Sequence, residues 1–259
     1  MKKYIIGLLG SLLLMQISFA QNNSKSFTVP GTYKFTVPKG AKTLTVTLSG
    51  AGGWSGGGSS GSLNKGGKGG QVSGDIEVKE GEELIITVGT GGAPGKSAGI
   101  TAIQRKTGYL AIAAGGGNGS SHGGQGGNGG PQGSGGTVGN GTFQTGNSGA
   151  GASTTVGGNG GSGGTGAARG NNGASLTGGT NNAKAVGEGW GGAGWFGGGA
   201  AATYSSTFLS GDPYASGGGG GGSNYVKGLS GKVTNTANGN AGGMPGNMGI
   251  GGKVEVSWK

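Results

Sequence analysis

Glycine returns at every third position along three tracts of this chain, and that spacing constrains the fold more than any other feature. The clearest tract carries glycine at Gly124, Gly127, Gly130, Gly133, Gly136 and Gly139, and shorter tracts begin at Gly157 and Gly243. With 76 glycines in 259 residues, the chain loses more backbone entropy on folding than an ordinary sequence. It must either stay disordered or form a structure in which main-chain contacts offset that loss.

A period of three matches the polyproline II type of helix, which has three residues per turn and no internal hydrogen bonds. One edge of such a helix would carry only glycine, so neighbouring helices could approach closely enough to exchange main-chain hydrogen bonds. The tracts therefore predict a bundle of polyglycine II helices. Collagen is excluded because it needs unbroken triplets and abundant proline, whereas this chain has 6 prolines. On composition alone, a flexible linker stays open.

Alternating polar and apolar residues predict β-strands on either side of the tracts. The expected strands are residues 26–29, 32–37, 42–49, 72–78, 83–88, 100–105, 109–113 and 253–258. The Pro30-Gly31 turn predicts that the first two strands form a hairpin, and residues 106–108 predict another. We expect the last strand to return to the amino-terminal sheet, so that the sheet holds both ends of the intervening chain.

These patterns predict an all-β fold with almost no α-helix and one mature domain, residues 21–259. Residues 21–113 and 253–259 would form a β-sandwich base, and residues 114–252 the inserted glycine-helix bundle with its loops. Residues 1–20 have the features of a cleavable signal peptide: two lysines, an apolar run and a small-residue cleavage site. We therefore expect a secreted or cell-surface protein with no transmembrane segment after cleavage, an uncleaved anchor being the alternative.

Charge and residue usage argue against several functions. Without Lys2 and Lys3, 16 of the 18 basic residues remain against 8 acidic ones, a net charge of +8. The basic residues are scattered and accompany no nucleic-acid motif, so no nucleic-acid partner is expected. His122 is the only histidine and cysteine is absent, so we predict no catalytic residue, no metal site and no cofactor. A carboxylate pair that meets in space, as in a glycosidase, stays an open alternative.

Two groups of aromatic residues interrupt the glycine-rich half. The first comprises Trp190, Trp195 and Phe196. The second comprises Tyr204, Phe208 and Tyr214. Because bare backbones offer little apolar surface, the first group is predicted to seal the join between bundle and sandwich. The second lies in a stretch with little glycine, residues 200–216, and is predicted to form a ligand-binding loop.

Several runs of sequence resemble the glycine-rich domain family. They are FTVPGTYKFTVPKGAKTLTVTLSGAGG, GGQVSGDIEVKEGEELIITVGTGGAPG, GWGGAGWFGGGAA, GGGGGGSNYV and GGKVEVSW, and together they span about Phe27 to Trp258. The family includes the extracellular glycine-rich region of anaplastic lymphoma kinase and leukocyte tyrosine kinase, and many bacterial and phage surface proteins. The resemblance implies a tumour-necrosis-factor-like, or jelly-roll, sandwich interrupted by polyglycine II helices. It carries over no catalytic residue, and the disulfides of the kinases have no counterpart here.

The function expected from these features is a non-catalytic adhesion-type protein that presents loops to an extracellular carbohydrate or protein. An ice-binding or purely structural extracellular role is the alternative, because bundles of glycine helices present flat faces. An exported glycan-active enzyme ranks third.

Overall fold

The computed structural model describes residues 23–56, 65–120, 124–137, 148–161, 167–181, 189–205, 213–215, 217–240, 242 and 247–259. Regular secondary structure in these residues is all β, without an α-helix. The strands are β1 (Asn23–Phe27), β2 (Gly31–Thr36), β3 (Thr43–Ser49), β4 (Gln71–Glu77), β5 (Glu83–Val88), β6 (Thr101–Arg105), β7 (Gly108–Ala113), β8 (Ala167–Ala168), β9 (Thr203–Ser205), β10 (Pro213–Ala215), β11 (Ser230–Thr236) and β12 (Lys253–Trp258). The all-β prediction is confirmed. The predicted signal peptide lies outside the described residues.

Five antiparallel strands form the first sheet, in the order β1-β12-β3-β4-β11. The last strand, β12, lies between β1 and β3, where Val256 faces Val46 on one side and Lys25 on the other. The predicted return of this strand to the amino-terminal sheet is therefore confirmed. Residues far apart in the chain thus become neighbours at the centre of one sheet.

The second sheet has the order β2-β5-β6-β7, and it contains the predicted hairpin of β6 and β7. The predicted hairpin of β1 and β2 is wrong, because β1 pairs with β12 whereas β2 pairs with β5. Phe27 on β1 and Phe35 on β2 are both buried, and their rings meet edge to face with centroids 6.3 Å apart. The two strands therefore face each other across the core instead of sharing a sheet.

The core lies between the two sheets, which is the arrangement of a β-sandwich. Leu44, Val46 and Leu48 of β3 are fully buried, while the threonines that alternate with them point outward. Leu84 and Ile86 of β5 are buried from the opposite sheet. Each such side chain contributes about 1.5–3 kcal/mol to the stability of the fold.

Strand β11 was missed by the sequence analysis, which had included its residues among the bundle and its loops. It pairs with β4 and extends the first sheet, with a break in register between Ser230 and Thr234. Most of its residues are exposed, including Val233. Because neither face is consistently buried, β11 lacks the alternation that predicts a strand.

Between the strands, glycine-rich segments form hydrogen bonds sideways to one another; we call this region the glycine network. Its middle is the central segment, residues 217–224, which contains six consecutive glycines and is buried throughout. Successive N–H groups of the central segment point to three different neighbours in turn. Gly218 and Gly221 donate to residues 134–137, Gly219 and Gly222 donate to residues 115–118, and Gly220 and Ser223 donate to residues 196–199.

The carbonyl groups of the central segment follow the same period of three. The acceptors and their donating segments are Gly218 and Gly221 from residues 149–152, Gly219 and Gly222 from residues 127–130, and Gly220 and Ser223 from residues 192–195. The N···O distances in both sets are 2.8–3.2 Å. The central segment is therefore enclosed by six stretches of backbone, and its polar groups are satisfied without a single β-ladder.

Close approach of these backbones leaves no space for side chains. A methyl group placed on Gly218 would overlap the carbonyl oxygen of Gln125, and one on Gly220 would overlap that of Ala150. Glycine is required at these positions because neighbouring main chains occupy the place of a Cβ. The glycine network is thus a second core, made of backbone, beside the core of the sandwich.

Candidate ligand-binding site

Four half-buried rings meet where the glycine network joins the second sheet. They form what we call the aromatic cluster: Tyr109, Trp195, Phe196 and Tyr225. Trp195 is central to it, with ring centroids 4.4 Å from Tyr225, 6.1 Å from Phe196 and 6.4 Å from Tyr109. The last two contacts are edge to face, a favourable arrangement for aromatic pairs.

The backbone beneath the cluster joins the two cores. Tyr109 lies on β7, and Tyr225 directly follows the central segment. Tyr225 exchanges both main-chain hydrogen bonds with Ile112 of β7, at 2.8 and 2.9 Å. The N–H of Trp195 donates to the carbonyl oxygen of Ser223 at 2.8 Å. The cluster is therefore anchored to the sandwich on one side and to the glycine network on the other.

A tight turn supports Trp195 and Phe196 from the remaining side. Its residue Leu176 has φ +63°, and among the described residues no other side-chain-bearing residue has a positive φ. The Leu176 N–H donates to the carbonyl oxygen of Trp195 at 3.3 Å, and Ser175 forms a bridge with Phe196. A left-handed conformation of a leucine costs about 1–2 kcal/mol, so the surrounding contacts must hold this turn in place.

The cluster offers stacking and van der Waals contact, with two phenolic hydroxyl groups at its edge. A tryptophan held in a fixed orientation suits a flat apolar face, such as that of a pyranose ring or of a partner's aromatic side chain. A rigid ring also loses little conformational entropy on binding. The arrangement fits recognition better than bond-breaking chemistry.

The carboxylates with described partners are occupied in structural contacts. Asp75 accepts a hydrogen bond from Thr45 Oγ1 at 2.8 Å, and Glu82 accepts one from Arg105 Nε at 2.6 Å. The hydrogen bond from Arg105 holds the pKa of Glu82 below its ordinary value, which is the opposite of what a general acid needs. No group of three or more metal-ligating side chains occurs among the described residues, and His122 lies outside them.

The three residues predicted to seal the join lie in two different places in the structure. Trp195 and Phe196 contact each other, and Trp195 also contacts Tyr109 of the sandwich. Trp190 takes part in the glycine network instead: its carbonyl accepts from Asn118 N–H at 2.8 Å. Its indole Nε1 is buried without a hydrogen-bond partner. The sealing role of all three residues stays a prediction.

Two of the three predicted ligand-binding residues come together in a small sheet, β10-β9-β8. Tyr204 on β9 and Tyr214 on β10 occupy the same register position. Phe208 lies outside the described residues. The structure thus pairs the backbones of the two tyrosines, and their ligand-binding role stays a prediction.

Sequence analysis missed Tyr109 and Tyr225 as members of the cluster. Tyr225 comes three positions after the last of six consecutive glycines. That position was the available signal, because a bulky ring close to a segment of glycines must either pack against another residue or extend into solvent. Nothing in the sequence around Tyr109 gives a comparable signal, because tyrosine is a common residue in β-strands.

Comparison with known proteins adds no family to these observations. No protein-family model matches the chain, and no curated protein matches it significantly. None of the described residues forms a helix long and apolar enough to cross a membrane.

Proposed function

We propose that this chain is an exported, non-catalytic binding protein of the adhesion type, which presents an aromatic surface to an extracellular carbohydrate or protein. One observation carries the proposal: the half-buried ring of Trp195 is held by three aromatic neighbours, and its backbone is held by a main-chain hydrogen bond to the central segment. A prepositioned tryptophan is a frequent anchor of binding surfaces.

We also propose that the segments of the glycine network are polyglycine II helices. The support is the period of three in their hydrogen bonds, with six enclosing stretches around residues 217–224. Such helices would give the protein a stiff base beneath the aromatic cluster. Rigid backbone, in place of a larger side-chain core, would then hold the ligand-binding residues in position.

We also propose a specific type of sandwich and a family for this chain. A tumour-necrosis-factor-like, jelly-roll sandwich is supported by β12 between β1 and β3 and by β2 beside β5. The adjacency of β3 with β4, and of β5, β6 and β7 in succession, is that of a simple meander. Membership of the glycine-rich domain family rests on the sequence runs quoted above. Secretion or surface display rests on the signal-like residues 1–20.

The proposal is tested by screening the purified protein on glycan and extracellular-protein arrays, followed by titration of the hits. Replacing Trp195 by Ala should weaken binding about tenfold or more, since an aromatic anchor contributes roughly 2 kcal/mol. Because this variant could loosen the junction, Trp195→Phe and Tyr225→Phe are measured beside it. Trp195→Phe keeps a smaller ring and should weaken binding less than Trp195→Ala, and Tyr225→Phe removes only a hydroxyl group and should have the smallest effect.

Tyr204→Ala with Tyr214→Ala provides the comparison, because it tests the other predicted surface in the same protein. Unchanged binding in every Trp195 and Tyr225 variant would reject the aromatic cluster as the binding surface. Thermal hysteresis is measured on the same preparations. Activity there, with no array hit, would replace the adhesion proposal by the ice-binding alternative.

A further inference from the structure

Among the residues that the structure describes, the two sheets of the sandwich have four edge strands, and two of these edges are blocked by backbone. The edge strands are β1 and β11 in the first sheet, and β2 and β7 in the second. The β11 edge is broken by its change of register, within which Gly231 has φ +67°. The β7 edge is covered by residues 225–228, which bond to Ile112 and Leu110. Bulges and covering segments both prevent a further strand from pairing.

The β1 and β2 edges lie together on one side of the sandwich, and both are regular. Phe27 of β1 and Phe35 of β2 are in contact across the core, so the two strands border the same opening. β1 pairs with β12 over five residues and β2 pairs with β5 over six, both without a break in register. A regular edge presents main-chain donors and acceptors that can pair with another chain. This side of the sandwich therefore needs another form of protection.

Lys25 is the charged residue of β1, and it lies on the core face of that strand. It is directly opposite Val256, which is buried in the core, and opposed residues of an antiparallel pair share a face. Lys25 Nζ lies 5.2 Å from the ring centroid of Phe27 and 5.9 Å from that of Phe35, which is the range of a cation–π interaction. Lys25 nevertheless remains exposed. Its ammonium group thus lies at the opening between the two regular edges.

A charge on the core face of an edge strand opposes pairing in two ways. A strand added beside β1 would cover the Lys25 ammonium group, which would lose water without gaining a carboxylate partner. Two copies of this chain would also bring like charges together. The symmetric antiparallel pairing that uses all of β1 places Asn23 opposite Phe27 of the other copy, and each Lys25 opposite the other. Like charges directly opposite each other destabilise a strand pair.

We propose that β1 is a latent strand-pairing surface for a second copy of this chain, and that Lys25 keeps this surface unoccupied. Two copies pair through β1 when position 25 is neutral in both or carries opposite charges, and they stay apart when the two charges are alike. Pairing would join the first sheets of two molecules into one continuous sheet. The aromatic cluster has no residue on β1 or β2, so this inference does not rest on the proposed function.

Sedimentation velocity over a range of protein concentrations tests this proposal. The parent protein and Lys25→Arg, which keeps the charge, should be monomeric. Lys25→Val should form a dimer whose fraction rises with concentration, with an association constant at least about tenfold above that of the parent protein. Lys25→Glu should be monomeric alone. It should form a mixed dimer with an equal amount of the parent protein, because each pair then places a glutamate opposite a lysine.

Ser26→Val is the matched control, because Ser26 lies on the outward face of β1, opposite Glu255, and the variant keeps Lys25. It should stay monomeric. Hydrogen exchange locates the contact: protection in the Lys25→Val dimer should increase in β1 and stay unchanged in β11.

The proposal is overturned if folded Lys25→Val stays monomeric, if it dimerises without added protection in β1, or if Ser26→Val dimerises as readily. Loss of the Lys25 contacts with Phe27 and Phe35 could prevent Lys25→Val from folding. In that case the mixture of Lys25→Glu with the parent protein decides alone, and the absence of a mixed dimer overturns the proposal.

Discussion

The sandwich and the glycine network exclude water by opposite means. In the sandwich, side chains such as Leu44 and Val46 fill the space between two sheets. In the glycine network, the absence of side chains at Gly218 and Gly220 lets backbones fill that space themselves. The comparison teaches that one chain can contain two kinds of core. Substitutions that remove side-chain atoms destabilise the sandwich core, whereas substitutions that add atoms destabilise the backbone core of the glycine network.

The two regions also differ in how their main-chain groups are paired. A strand inside a sheet, such as β3, bonds to two neighbours, β12 and β4. The central segment bonds to six stretches of chain. Distortion of a sheet strand is therefore passed to two partners, whereas distortion of the central segment reaches the whole glycine network. We expect substitutions there to have the larger effect.

The largest effect is expected from Gly220→Ala. Its methyl group would overlap the carbonyl oxygen of Ala150, and relief of that overlap would disturb the hydrogen bonds of Gly220 with Gly199 and Gly192. We expect a loss of about 3 kcal/mol or more in the free energy of unfolding, measured by denaturant titration.

Gly135→Ala is the matched control, since Gly135 belongs to the same network but is exposed, and its nearest atom is 3.5 Å from the added methyl position. Its stability should change by less than about 0.5 kcal/mol. Leu48→Ala, in the sandwich, should cost about 2–5 kcal/mol because it removes buried carbon atoms. A Gly220→Ala protein as stable as Gly135→Ala would show that the glycine network has no backbone core.

An intermediate effect is expected at Asn224, which joins the two regions. Its Oδ1 accepts from the buried N–H of Ala114 at 2.8 Å, and its Nδ2 donates to Asn235 Oδ1 at 2.7 Å and to the carbonyl oxygen of Thr236 at 3.2 Å. Asn224→Ala leaves the Ala114 N–H unpaired, which should reduce the free energy of unfolding by about 1–3 kcal/mol.

Hydrogen exchange followed by mass spectrometry locates the damage. In Asn224→Ala, faster exchange should begin where the network meets β11, and β3 should stay protected. Asn238→Ala, at an exposed position of the same region, should alter neither stability nor exchange. Uniform acceleration over the whole chain in Asn224→Ala would mean that the sandwich and the network unfold as one unit.

The smallest effect concerns pH and the sandwich alone. Because Arg105 lowers the pKa of Glu82 in the folded protein, the pair stabilises the fold above the unfolded pKa of 4.5. That contribution is lost as the pH falls through the lower, folded pKa. Glu82→Gln should remove this part of the acid dependence of stability, with an effect below about 1 kcal/mol at neutral pH.

Thermal unfolding between pH 2 and 7 measures the contribution, and Arg105→Gln should flatten the same part of the curve. Lys34→Gln breaks a pair with Glu83 whose lysine side chain is 75% exposed, and it should change stability by less than about 0.3 kcal/mol. An undiminished acid dependence in both Glu82→Gln and Arg105→Gln would assign it to other carboxylates.

The sandwich could be predicted from the sequence better than the glycine network, because the alternation of apolar and polar side chains specifies the sandwich strands. The outward threonines and inward leucines of β3 fix both the strand and its buried face. The Pro30-Gly31 signal failed since a turn between sheets has the same local residues as a hairpin turn. β11 failed because exposure on both faces removes the alternation.

For the network, the period of three indicates sideways bonding, but identical glycines cannot specify which segments become neighbours. The pairing of Gly219 with Asn118, for example, has no signal in either residue. The same limit applies to the aromatic cluster. Trp195 stands out in the sequence, whereas Tyr109 and Tyr225 join it only through the path of the chain.

The position of β12 determines when the first sheet can be completed during synthesis of the chain. Ser257 and Thr45 are 212 positions apart, so β1 and β3 leave the ribosome long before the strand that belongs between them. Until then the first sheet has a gap, and its two flanking strands lack their shared partner. Such distant pairing is slow to form, and the first sheet can be completed only after the glycine-rich residues between β3 and β12 have been synthesised.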